Sequence, residues 1–287
     1  MNILLAGASG FIGRHLSAAL LAAGHHVRPL SRRHGADFSQ LHSAQHWLPH
    51  LAGADVVINA VGIIAEQPGQ RFASLHTQAP CALFDACVQA GISRVIQISA
   101  LGCDDSAFTA YHLSKLAADR HLRSLPLDWL VLRPALVYGP GSASSAAFMQ
   151  LARLPLLPLP DGGRQLVQPV HISDVVAAVL QALAQGVAGQ SVDVVGPQPL
   201  RFADWLQTIR AARGQAPAPV LAIPPALLLA LLRVGRHLSP LLQPDNLRML
   251  LASRAANPEP LARLLGRPPL SPSPQLFFHA DTPGESS

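Results

Sequence analysis

The chain opens with Asn2-Ile-Leu-Leu-Ala-Gly7-Ala-Ser9-Gly10-Phe11-Ile12-Gly13, a short apolar strand that runs straight into three glycines at three-residue spacing. Few local patterns restrict a fold more. Glycine takes the backbone angles of a tight strand-to-helix turn, and without a Cβ it lets a phosphate approach the main chain. The amphipathic stretch that follows predicts a helix from Ile12 to Ala23, closed by Gly24. Its free N–H groups and positive dipole end would face the turn. A turn of this kind is built to cradle a dinucleotide pyrophosphate.

The next strand refines that reading. His26 to Leu30 is apolar enough to complete a β-α-β unit, and it runs into Ser31-Arg32-Arg33. Dinucleotide folds that take a ribose 2′-hydroxyl place a carboxylate about 20 residues past the glycines. A guanidinium there pairs instead with a 2′-phosphate. The expected cofactor is therefore NADP(H), with NAD the lesser alternative.

Strand and helix patterns alternate onward. Helices are expected over Ser39–Leu51, Phe72–Ala90 and Ala110–Ser124, and strands over Ala54–Gly62, Arg94–Ile98 and Trp129–Leu132. Continuous Val and Ile runs mark strands buried on both faces. The fold class is α/β, a doubly wound parallel sheet with a small C-terminal substrate lobe. Beyond Pro140 the chain turns rich in Pro, Gly and Ser. The expected domains are 1–140 for the dinucleotide and 141–280 for the substrate. Val170–Ala184 and Ser191–Val195 would return to the main sheet, and 281–287 would form a frayed tail.

Composition excludes several classes. Of 287 residues 49% are hydrophobic and 13% charged, as in a globular chain. The formal charge of +5 comes from scattered arginines without interleaved aromatics, which argues against a nucleic-acid platform and suits an anionic cofactor. Cys81, Cys87 and Cys103 form no C-x-x-C pair, so a reducing cytoplasm is expected. The amino terminus reads as a strand and not a signal peptide. Pro225–Leu232 is too short to span a bilayer. That segment, with Leu238–Leu242 and Leu247–Leu251, is expected to line an apolar pocket or pack internally; a membrane surface or a protein complex is its alternative partner. Nothing in the sequence fixes an oligomeric state, and no metal site is expected: His42, His46 and His50 share a helix face but lack an accompanying ligand.

Ser99, Tyr111 and Lys115 form the candidate catalytic set. Ser99 ends a central strand, where open α/β sheets place ligands. Tyr111 and Lys115 share a helix face at i, i+4. An ammonium beside a phenol lowers its pKa toward neutrality, and a serine hydroxyl can hold the substrate oxygen. Cys103, His112, Asp104 and Asp105 nearby read as bystanders.

These motifs resemble the extended or atypical short-chain dehydrogenase/reductases, which have a Rossmann fold. The likeness rests on the glycine turn, Asn59-Ala60-Val61-Gly62, Ser99-Ala-Leu-Gly102, Tyr111-x-x-Ser-Lys115, Leu132-Arg-Pro134-Ala135-Leu-Val137-Tyr138-Gly-Pro140 and Val170-His-Ile-Ser-Asp174-Val, across residues 1–180. Within the family it is most similar to the branch of the Rossmann-type accessory subunit of respiratory complex I. The resemblance implies that Gly7, Ser9, Gly10, Phe11, Ile12 and Gly13 form the pyrophosphate turn and that Arg32 and Arg33 hold the adenosine phosphate. Asp37 and Phe38 would meet adenine, and Asn59, Ala60, Val61 and Gly62 would line the cofactor. Tyr111 and Lys115 would hold the nicotinamide ribose, with Pro134, Ala135 and Val137 at the nicotinamide edge. Two departures stand out: His76 occupies the helix position where the family often has asparagine, and Gln165-Leu-Val-Gln-Pro169 lacks the arginine of nucleotide-sugar enzymes.

The activity implied is that of an NADP(H)-dependent oxidoreductase on a small, apolar carbonyl or hydroxyl compound. The alternatives are a nucleotide-sugar epimerase or dehydratase and a non-catalytic NADPH-binding assembly or regulatory protein.

Overall fold

The computed structural model describes residues 1–235, 243–273 and 276. In chain order its strands are β1 (Asn2–Ala6), β2 (His26–Leu30), β3 (Val56–Asn59), β4 (Arg94–Ile98), β5 (Asp128–Pro134), β6 (Val137–Tyr138), β7 (Leu157–Pro160), β8 (Leu166–Val167), β9 (Val170–His171), β10 (Gln190–Val194), β11 (Leu200–Arg201) and β12 (Val220–Ile223). The helices are α1 (Phe11–Ala22), α2 (Ala44–Leu51), α3 (Ala79–Gln89), α4 (Ala110–Ser124), α5 (Ala143–Ala152), α6 (Ile172–Gln185), α7 (Phe202–Ala212), α8 (Pro225–Gly235), α9 (Pro244–Leu251) and α10 (Glu259–Leu265). Two compact units emerge: Met1–Pro134 with Val176–Asp193, and Ala135–Val175 with Val194–Ser287.

The first unit carries a six-stranded sheet in the order β10-β5-β4-β3-β1-β2. β1 through β5 pair in parallel, with Asn2 opposite His26, Ile3 opposite Val56, Val56 opposite Arg94 and Arg94 opposite Asp128. Such a sheet buries both faces, which explains the unbroken apolar runs. Leu4, Val57, Val95 and Val131 share one face with Trp47, Leu83, Phe84 and Leu122 from the helices. The alternate residues Ile3, Leu5, Ile58 and Ile96 are buried on the other. Strand order reverses between β1 and β3. Crevices at such reversals, outside the carboxyl ends of the strands, are where these sheets bind ligands.

The second unit has three two-stranded pairings, β6 with β9, β7 with β12 and β8 with β11. Its core gathers Tyr138, Leu157, Leu159, Phe202, Trp205, Leu206 and Ile209. Buried Arg210 donates to the carbonyls of Ala152, Leu154 and Ala216, which satisfies its charge without a carboxylate. Fully buried Asp174 accepts from Arg267 and the Leu270 amide, both at 2.7 Å.

Several expected elements differ. The helix expected over Ser39–Leu51 is a short 3-10 turn, Phe38–Gln40, followed by α2 from Ala44. Asp37 caps the turn through Ser39, and Trp47 binds the Leu41 carbonyl, so the chain breaks before α2 starts. The strand expected over Ala54–Gly62 ends at Asn59, whose side chain accepts from Val61 and turns the backbone out of the ladder. The Phe72–Ala90 helix begins as a π turn, Ala73–Gln78. Val170–His171 does not return to the main sheet but pairs with Val137–Tyr138, while Gln190–Val194 does join it. Leu227 and Leu231 of α8 are 51% and 58% exposed, so the expected internal packing is absent there. Leu238–Leu242 and the tail from 281 lie outside the described residues. Among the described residues no helix is long and apolar enough to cross a membrane.

Candidate active site

The turn after β1 is fixed by close backbone contacts. Gly7 has φ +83°, and a Cβ there would lie 2.7 Å from the Ala60 carbonyl carbon and 2.8 Å from the Val61 nitrogen. A Cβ on Gly13 would lie 2.1 Å from the Gly7 oxygen. Both glycines are therefore required: one lets the β1 turn meet the chain leaving β3, the other lets α1 close on the turn. The Gly7 amide also donates to the Leu30 carbonyl at 2.9 Å, tying in the end of β2. Gly10 caps α1, which has no capping side chain and no acidic residue in its first turn. Ser9, Phe11 and Ile12 remain partly accessible around it. An uncapped helix start of this kind fits an anionic pyrophosphate.

Arg32 and Arg33 are exposed on a 3-10 turn, Arg32–His34, directly after β2. Ser31 is buried and bonds His34 Nδ1 at 2.7 Å. Of the residues with an implied adenine contact, Asp37 already accepts from the Ser39 amide and hydroxyl at 3.0 and 2.8 Å. Phe38 is core, stacked on Trp47 at 5.7 Å.

Around the switch point the polar side chains form one framework. Asn59 Nδ2 donates to Gln97 Oε1 at 2.7 Å, and Asn59 Oδ1 accepts from Val61, which fixes Ala60 and Val61. His76 Nε2 accepts from the Ile63 amide at 3.0 Å, so its proton sits on Nδ1, facing Ser114 Oγ at 3.0 Å. Ser114 in turn donates to the Tyr111 carbonyl. Burial, with the nearby Lys115 ammonium, pushes the His76 pKa down to about 2. A Cβ on Gly62 would stand 3.4 Å from Lys115 Nζ and 3.8 Å from His76 Nε2. The loop after β3 thus converges with α4.

Tyr111 is ringed edge-on by His76 and His112, both at 5.4 Å, and by Phe72 at 5.9 Å. Burial, then Cys103 and Asp119, raise its pKa above the ordinary phenol value. The expected lowering by Lys115 is not realised: the Lys115 ammonium donates to the Ile98 carbonyl at 3.1 Å. The phenol is thereby held as an acid.

Ser99 is a correction. Its hydroxyl was expected at the substrate oxygen, but it is buried and donates to Asp119 Oδ2. The side chain leaves the strand end toward α4, because the alternation that aims Gln97 at Asn59 aims Ser99 at the same helix-covered side. Pro134 closes β5, its carbonyl accepting from Leu101. Ala135 and Val137 belong to the second unit, where Ala135 donates to Val194 and Val137 pairs with Val170. His112 stacks over Gly102 and bonds Thr109, and burial lowers its pKa. Burial pushes the Cys103 thiol up to about 11, an unreactive value.

Sequence reasoning overlooked Asp119. A signal was available: Lys115 is the one lysine of a chain whose other basic Lys/Arg positions are all arginine. Arginine stays charged in any surroundings, so the residue that can titrate is kept for this buried position. Its neighbour one turn on is an aspartate.

Residues 3–195 match the model of the NAD dependent epimerase/dehydratase family. The chain belongs to this family. It is 29% identical over 199 residues to a ceramide reductase of Caulobacter vibrioides, covering 65% of this chain and 62% of that one. It is also 29% identical over 212 residues to subunit 9 of the NADH dehydrogenase [ubiquinone] 1 alpha subcomplex, mitochondrial, of Arabidopsis thaliana, covering 67% and 52%. The chain thus spans little more than half the length of these relatives. The structure of MoeE5 with UDP-glucuronic acid and NAD superimposes with a TM-score of 0.70 over 96% of this chain and 97% of that one, at 19% identity. That likeness shows a Rossmann-type α/β fold. The resemblance seen in the sequence is borne out at both levels: the family and a complex I subunit relative.

Proposed function

We propose that this family member is an NADPH-dependent reductase of the short-chain dehydrogenase/reductase type, acting on a small apolar carbonyl compound. One observation carries the reading: Lys115 and His76 meet Gly62 in the loop that packs on the glycine turn, with Tyr111 one helical turn before Lys115. When bound, the dihydronicotinamide supplies the hydride. The Gly10–Gly13 helix start holds the pyrophosphate, and Arg32 and Arg33 hold the 2′-phosphate. Lys115 holds the nicotinamide ribose. Tyr111, kept protonated by burial, gives its hydroxyl proton to the oxygen that gains charge as the carbonyl is reduced. That assignment favours reduction over oxidation.

The second unit is the substrate lobe in this reading. Its Gln165 amide is engaged with the Pro160 carbonyl, and the segment 165–169 contains no arginine to clamp a diphosphate. This disfavours a nucleotide-sugar substrate. A second reading, a non-catalytic NADPH-binding protein, is favoured by the hydroxyl of Ser99 being taken up by Asp119. Three cysteines without a disulfide suit a reducing compartment such as the cytoplasm. The test is a panel of apolar aldehydes, ketones and quinones, followed by loss of dihydronicotinamide absorbance. Turnover with NADPH supports the reductase. Tight NADPH binding with no turnover on any member moves the non-catalytic reading ahead.

A further inference from the structure

The ammonium of Lys115 is 4% exposed and donates to a single carbonyl, that of Ile98. A buried ammonium with only a carbonyl for company carries a large desolvation cost unless an anion compensates it. Three groups that can titrate act on it: Asp119 from its own helix, Cys103 from the loop after β4, and His76 from the π turn before α3; Tyr111 lies one turn before it on α4. The phenol and the thiol stay protonated, and His76 is neutral because both ring nitrogens are committed. Asp119 is the one carboxyl among them. It is 0% exposed, lies one turn beyond Lys115 on α4, and accepts the hydroxyl proton of Ser99, the residue after Ile98. Lys115 and Asp119 thus fasten two successive turns of α4 to two successive residues at the end of β4.

We propose that Asp119 is a positioning residue: with Ser99 as its fixed donor, it is the internal counter-charge that keeps the Lys115 ammonium charged and seated at the end of β4. The Ser99 hydroxyl thereby serves the lysine instead of a substrate. Tyr111, one turn earlier, keeps its proton through burial, with Cys103 and Asp119 nearby. Burial lowers the Lys115 pKa, and Cys103, then Asp119, oppose that fall; burial raises the Cys103 thiol to about 11, which leaves the Asp119 carboxyl as the more acidic group of the two. Arg123 and Gln97, beside Asp119, help hold the carboxyl in its charged form against its own desolvation. The reductase reading gives this arrangement its use, but the electrostatics do not depend on turnover.

The test reads Lys115 directly in the cofactor-free protein. Because the chain has one lysine, selective 13C labelling of lysine gives one Cε resonance, and its shift against pH reports the ammonium of Lys115. Asp119→Asn should move the midpoint down by at least one pH unit, a tenfold change in proton affinity, with the far-ultraviolet circular dichroism unchanged. An equal midpoint in wild type and a folded Asp119→Asn overturns the proposal. Should Asp119→Asn not fold, Ser99→Ala carries the test. Loss of the donor lets Asp119 take up a proton more readily, and the Lys115 midpoint should again fall; an unmoved midpoint in that variant overturns the proposal equally. Absent turnover in the substrate panel leaves this measurement intact, so failure of the reductase reading is told apart from failure of the counter-charge.

Discussion

At the scale of single residues the decisive contrast is between exposed arginines and a half-buried tyrosine. Arg32 and Arg33 lie open to solvent on the turn after β2, where a cofactor 2′-phosphate would meet them. Loss of one charge-assisted hydrogen bond costs about 1.5–3 kcal/mol. Arg32→Ala should therefore weaken NADPH binding about tenfold or more and leave NADH nearly unchanged, read by calorimetric titration with both cofactors. Equal wild-type affinity for NADPH and NADH removes the basis for the preference. Tyr111→Phe deletes the acidic oxygen but keeps the ring that packs against Phe72, His76 and His112. Cofactor affinity should change little, while turnover on a verified carbonyl substrate falls by roughly 10²–10⁴-fold. Unchanged turnover takes Tyr111 out of the proton transfer.

At the scale of elements, α1 and the turn before it act as one piece. A methyl added at Gly13 has nowhere to go, with the Gly7 oxygen 2.1 Å from its position. Gly13→Ala should thus push α1 off the turn and cost about 1–3 kcal/mol of stability by overpacking. NADPH affinity should drop with it; a variant as stable as wild type with full affinity would show that the turn is slack. The leucines sort in the same way. Leu206 of α7 is fully buried, and Leu206→Ala should cost about 2–5 kcal/mol in urea unfolding. Leu231→Ser on exposed α8 should stay within about 0.5 kcal/mol of wild type. Much of the first unit was legible because its signals are local: β2, β4 and α4 have the bounds that their apolar periodicity and breakers imply. What was not legible depends on partners distant in sequence. The early end of β3 needs the Asn59–Gln97 bond across 38 residues, and the inward turn of Ser99 needs Asp119 20 residues on. The α8 segment misled for a different reason: leucine content predicts burial on average, but which leucines find cover is settled by the fold of the whole lobe.

At the scale of the whole molecule, the buried framework around His76 ties stability to pH. His76 is 1% exposed and joins the loop after β3, through Ile63, to α4, through Ser114. The bond from Ile63 requires an unprotonated Nε2, and burial with the adjacent ammonium places the folded-state pKa at about 2. In the unfolded chain it returns to the ordinary histidine value of about 6.5. The unfolded state therefore binds more protons at every pH between these two values, and stability must rise with pH across that window. The contribution is complete above about pH 6.5 and is lost as pH falls below it, by about 1.4 kcal/mol per pH unit. Asp119 works in the opposite sense: burial raises its folded pKa above the ordinary aspartate value, so between the unfolded and folded values acid favours its folded form. Comparing variants separates the two. Urea midpoints measured from pH 7.5 to 4.5 should fall steeply in the wild type. In His76→Gln, which keeps an acceptor and a donor but has no proton to gain, the slope should be smaller by about 1.4 kcal/mol per unit below pH 6. His76→Gln should also be the less stable protein at pH 7.5, where the imidazole bonds are intact, and the two curves should approach one another on acidification. Parallel curves over that range would mean that His76 titrates normally and that the clamp between the β3 loop and α4 opens in solution.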